Sequence, residues 1–158
     1  MDWSHLDNRQ LMGAYCALMS ELRIRGVVRS SNNPIADYTE TLVANALGLT
    51  LAAQSRAGYD ALDSSNTRYQ IKGRRLTTHN ASTQISAIRN LEQCPFDILA
   101  AVVYSADLSV LYGALIPIDV VLEASRFSRH SNSHVFMFRR SVLDDARVQD
   151  MTAMLSIT

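Results

Sequence analysis

The sequence predicts an α/β protein with a mixed, five-stranded central sheet flanked by helices, and three observations carry that expectation. Apolar residues near the start recur at intervals of three and four, the spacing of one helix face. Three short strand candidates follow a second helix. Residues 96–116 then hold two apolar strands close enough to pair antiparallel. No Gly/Ser-rich or Pro-rich linker and no repeat divides the 158 residues, so one domain is expected over 1–158. Its core spans about 34–125, with a helix at 4–25 and a segment at 126–158 as additions.

The first helix rests on Leu11, Ala14, Tyr15, Leu18, Met19 and Leu22. Residues 30–33 read as a loop, with Asn33 as N-cap and Pro34 at the first helical position of a second helix. That helix should stop at Gly48. Strands are expected at 49–54, 59–63 and 68–75, the last two forming a hairpin around Ser64-Ser65-Asn66, with a loop at Arg56-Ala57-Gly58. A short helix is expected around Ser82 to Leu91. Phe96 to Tyr104 reads as a strand buried on both faces, and Leu108 to Ile116 as its partner. A helix over 118–125, a short strand over 135–138 and a weakly helical end complete the order.

Composition narrows the function classes. At 47% hydrophobic and 19% charged, the chain is globular rather than disordered. Its longest apolar run, Ile98 to Tyr104, falls far short of the roughly 20 residues that span a bilayer. The start lacks the basic and apolar regions of a signal peptide. Cys16 and Cys94 stand apart without metal-ligand spacing, so inert buried thiols in a reducing, cytoplasmic setting are expected. Fifteen basic residues balance fifteen acidic ones, so affinity for a polyanion must come from a local basic face. Fourteen of those fifteen are Arg. The exception is Lys72, whose compact ammonium does not substitute for the planar fork of Arg.

Side chains alternate along a strand, so Gln70, Lys72 and Arg74 share one face. A short turn brings Asp60 back beside Gln70 and Lys72. On the second helix, Glu40 lies near the edge of the apolar face, one turn from Ala36 and Val43, and can point along the sheet.

Glu40 on a helix, Gly58-Tyr59-Asp60 on one strand and Gln70-Ile71-Lys72 on the next resemble the PD-(D/E)XK nuclease superfamily, over about residues 34–125. The order αβββ agrees with that family's core. Tyr59 stands where the family has Pro, and Gln70 where it has an acid. The QxK variant resembles methylation-dependent restriction endonucleases of the Mrr type. The resemblance implies a restriction endonuclease-like three-layer fold with an αβββαβ core and a DNA endonuclease dependent on Mg²⁺ or Mn²⁺. It implies Asp60, the Gln70 amide oxygen and the Ile71 carbonyl as metal ligands, with Glu40 acting directly or through water. Lys72 would orient the attacking water and stabilise developing charge. Replacing an acid by Gln70 removes one negative charge from the site and weakens cation binding.

DNA, double-stranded on this reading, would meet Arg68, Arg74 and Arg75 and the short donors Thr77, His79 and Asn80. A second cluster, Arg126, Arg129, His130, Asn132, His134, Arg139 and Arg140, offers another surface, for which a solvated face is the ordinary reading. His130 and His134 carry the spacing of a metal-binding helix without its acidic context, so no zinc is expected. One active site per chain favours a homodimer for cutting both strands, with the first helix as interface. The alternative is a catalytically weak module of the same fold that binds nucleic acid or a protein.

Overall fold

The computed structural model describes residues 2–30, 33–53 and 58–156. Helix α1 (Asn8–Ile24) begins four residues later than its periodicity suggests, because Asp7 caps it: the Asp7 carboxylate accepts from the Gln10 N–H, and the Gln10 side chain accepts from the Asp7 N–H. Helix α2 (Pro34–Leu47) has the expected ends, with the Asn33 side chain accepting from the Ile35 N–H and Gly48 closing it in the left-handed region. No helix among the described residues is long and apolar enough to cross a membrane.

The sheet has six strands rather than five. β1 (Thr50–Leu51), β2 (Ala61–Leu62), β3 (Arg68–Arg75), β4 (Ile98–Tyr104), β5 (Val110–Pro117) and, out of the weakly helical end, β8 (Gln149–Asp150) lie side by side in that order. Residue 54 of the first expected strand, residues 56–57 of the following loop and residues 31–32 of the earlier loop lie outside the described residues. β3 and β4 run parallel in register from Tyr69↔Ile98 to Arg75↔Tyr104, and every other pairing is antiparallel. A separate hairpin joins β6 (Arg126–Ser128) and β7 (Ser133–Val135), and short helices α3 (Ile118–Ala124) and α4 (Thr152–Leu155) complete the regular structure.

β4 is buried along nearly its whole length, as an apolar strand covered on both faces must be. On one face Ala100, Val102 and Tyr104 pack with Ile71 against Leu42 and Val43 of α2 and Leu155 of α4. On the other, Leu99, Ala101 and Val103 meet Ile85, Ile88, Phe136 and Phe138. The mixed α/β class and the mixed sheet are as expected, whereas the second face is covered largely by extended segments.

The helix expected around Ser82 to Leu91 is absent, so the second α of the αβββαβ order is missing. Ile85 and Ile88 are three apart, a helical interval, but their N–H groups donate to Phe136 and His134 and tie the segment down in extended form. Ser82, Thr83 and Ser86 add no helix-forming tendency to oppose that pull. One 3₁₀ turn, Leu91–Gln93, is all the helix in this crossing. Both cysteines, expected buried, are exposed. His130 lies in the hairpin turn and His134 on β7, so the two do not share a helix face.

Candidate metal centre

β2 pairs with β3 only at Tyr69 and Arg68. The ladder reaches one residue further, since Asp60 N–H donates to the Tyr69 carbonyl (2.8 Å) and the Asp60 carbonyl accepts from Ala52 N–H (2.8 Å). Asp60 is thus fixed between two strands where β2 gives out. Past that point, no described strand pairs with β3 on this side.

The Asp60 carboxylate turns onto β3. Its Oδ2 accepts from the Ile71 N–H at 2.7 Å and from the Gln70 side-chain amide. N–H and C=O of one strand residue point to the same side, so the Ile71 carbonyl also faces the open edge. Three of the four expected ligand residues, Asp60, Gln70 and Ile71, therefore meet.

Glu40 approaches from α2. Its carboxyl is held above the usual carboxylate range, first by burial and then by the neighbouring Asp60 charge, with Arg29 opposing both. Arg29 forms an ion pair with Glu40 and also donates to the Ala52 carbonyl at 2.9 Å. No spacing rule singles out Arg29 in the sequence. Its one signal was an Arg placed directly after the apolar pair Val27-Val28 between two helices.

Lys72 projects from the face of β3 opposite Ile71, and lines a groove of about 270 Å³ with Glu40, Gly73, Arg74, Arg75 and Ser86. It is half-buried, and its ammonium forms no hydrogen bond or ion pair with any described residue. Gly73 keeps α2 close enough for Glu40 to share this groove: a Cβ there would lie 2.2 Å from Thr39 Oγ1.

No protein-family model and no curated protein matches the chain.

The expected nucleic-acid residues divide. Arg68 is occupied elsewhere, its fork closed on Asp97 (2.7 and 3.0 Å) with a further bond to the Pro95 carbonyl. This clamp joins the starts of β3 and β4, and the guanidinium holds Asp97 below the usual carboxylate range. Arg74 lines the groove and donates to Asn80 Oδ1 (2.7 Å) and the Ser82 carbonyl (2.8 Å). Arg75 bonds the Ala106 carbonyl. Thr77 and Asn80 close a tight turn with reciprocal backbone bonds, leaving His79 exposed at its tip. A second polar concavity, lined by Gly73, Arg74, Asn80, Ser82, Gln84 and Ser86, prolongs the first. In the second basic cluster His134 is buried beside Glu92 (3.4 Å), while the arginines stay exposed.

The oxygens at the open edge come from two carboxylates and the Ile71 carbonyl, and the Gln70 amide, whose Nε2 now faces Asp60, adds a fourth if it turns over, with no thiolate or imidazole between them. That set fits a hard divalent cation such as Mg²⁺ or Mn²⁺.

Proposed function

We propose that the chain is a metal-dependent endonuclease of the PD-(D/E)XK kind, acting on double-stranded DNA in the cytoplasm. The observation that carries the reading is the meeting of Asp60 with Gln70 and Ile71 at an open strand edge, with Lys72, whose ammonium has no partner among the described residues, one residue further along. Hydrolysis of a phosphodiester adds water across a P–O bond and builds negative charge on the phosphate oxygens. A bound divalent cation supplies charge neutralisation and a more acidic water. Asp60, the Ile71 carbonyl and the Gln70 amide oxygen would hold it, the Gln70 amide turning over from its present bond to Asp60. Glu40, which feels the Asp60 charge, would add a second carboxylate directly or through a water. Lys72 stabilises charge on the phosphate, since no described carboxylate neutralises its ammonium. Arg74 and Arg75 bind neighbouring phosphates, and the groove past Gly73 towards Asn80 seats the strand.

Plasmid incubated with Mg²⁺ or Mn²⁺ should be nicked or linearised, and the cutting should disappear with EDTA, with Asp60→Ala and with Lys72→Ala. Cleavage that persists in both variants would refute the assignment. One site per chain favours a homodimer for cutting both strands, and the exposed apolar face of α1 is the surface assigned to that contact.

A second reading has its own support. Gln70 removes a negative charge from the site, and its amide already occupies one Asp60 oxygen. A module that binds DNA without cutting it would give a salt-sensitive gel shift and no nicking with either metal.

A further inference from the structure

We infer that Arg29 is a positioning residue that holds Glu40 in the metal-free protein and gives it up when a divalent cation enters; the inference rests on the metal site proposed above. Arg29 lies outside the segment that resembles a nuclease, yet it is fixed to the helix that carries Glu40. The backbone N–H groups of Arg29 and Ser30 both donate to Asp37 (2.7 and 2.6 Å), a buried carboxylate one turn before Glu40 on α2. From that anchor the guanidinium bridges two elements, with Nη2 on Glu40 and Nη1 on the Ala52 carbonyl beside β1. The same Ala52 donates its N–H to Asp60, so Arg29 spans from Glu40 to the backbone that places the first metal ligand.

The site's two cations differ in their partners. Burial and the nearby Asp60 charge both penalise the Glu40 carboxylate, so it needs a cation beside it. Arg29 meets that need by pairing with Glu40, while Lys72 has no partner among the described residues. The Arg29 pair is also incomplete as a resting structure. Its Nε is buried and has no acceptor among the described residues, so the fork holds Glu40 with one donor unmet. Bonded to Ala52 as well, Arg29 can release Glu40 without leaving its place. An entering cation therefore competes with Arg29 for Glu40, and the clamp lowers metal affinity while keeping the carboxylate aimed at the site.

The test is Mn²⁺ binding in the full chain, followed by the loss of the free-ion paramagnetic signal, in the parent and in Arg29→Gln, Arg29→Lys, Glu40→Gln, Asp60→Ala and the Arg29→Gln/Glu40→Gln double variant. Arg29→Gln should tighten Mn²⁺ about fivefold, the factor set by roughly 1 kcal/mol of charge competition. The gain should vanish in the Glu40→Gln background, where no carboxylate remains to be released. Arg29→Lys keeps the charge but not the bridge to Ala52, and should show part of the gain even if the Gln variant does not fold. Unchanged or weaker binding in the Arg29 variants overturns the inference. So does an equal gain with and without Glu40, which would make Arg29 a distant charge and not a clamp. Parent binding that Asp60→Ala abolishes keeps the metal site while the Arg29 result decides the clamp; no Mn²⁺ bound by the parent removes both.

Discussion

At Lys72 the chain places a half-buried ammonium in a groove otherwise furnished with arginines, and the two chemistries can be separated there. Lys72→Arg keeps the charge, but its planar fork cannot reproduce a point charge at one oxygen. Plasmid cleavage should therefore fall about 100-fold while the thermal midpoint stays near that of the parent, because no described partner is lost. Wild-type cutting by this variant would show that any cation suffices. Arg68 and Asp97 behave differently, as a stabilising pair. The folded-state value of Asp97 lies below its unfolded value, so its contribution is present above the ordinary carboxylate range and is lost as pH falls through the lowered value. Asp97→Asn should flatten the acid limb of the stability curve measured by urea unfolding below about pH 5. The change should be modest, since both side chains are more than a third exposed.

At the scale of elements, the contact of α2 with β3 sets where Glu40 lies. Thr39 cannot move aside easily: its hydroxyl donates to the Ile35 carbonyl (2.6 Å) and accepts from the Tyr104 hydroxyl (3.1 Å). Burial pushes that Tyr104 hydroxyl up to about 12. Gly73→Ala should therefore cost about 1–3 kcal/mol in chemical denaturation. Adding Thr39→Ala should recover part of the loss by clearing the clashing oxygen. If the double variant is no more stable than Gly73→Ala, the close approach is not what holds the helix. Local pattern made much of this legible. Alternation along 68–75 put Gln70 and Lys72 on one face, and Asn33-Pro34 and Gly48 marked both ends of α2. What escaped depends on partners far along the chain. Ile85 and Ile88 carry a helical interval, yet their backbones bond to residues 136 and 134. Arg29 owes its role to Glu40 and Ala52, and no spacing rule links those three.

For the whole molecule, the two apolar clusters lie on opposite faces of one sheet, while α1 contributes little to either. Met19 is its one buried residue, and Leu11, Tyr15 and Leu18 stay exposed along a stripe that Trp3 joins. A second copy covering this stripe would remove the largest run of apolar surface on the helix from water. Leu18→Glu should then convert a dimer to a monomer in sedimentation at micromolar concentration, with the thermal midpoint of the sheet domain little changed. A parent that sediments as a monomer would dismiss that contact. The short β2 has an effect of another kind. By starting only at Ala61 it leaves the β3 backbone beyond the Asp60 contact at Ile71, on to Arg75, without a described strand beside it, the sort of border on which another chain could lay down a strand and begin to aggregate. Lys72, Arg74 and Arg75 stand along that border, and bringing a second β-chain alongside would require their charges to be stripped of water. The cations assigned to phosphate thus also guard the solubility of the fold, and replacing all three by neutral residues would expose the sheet to its own kind.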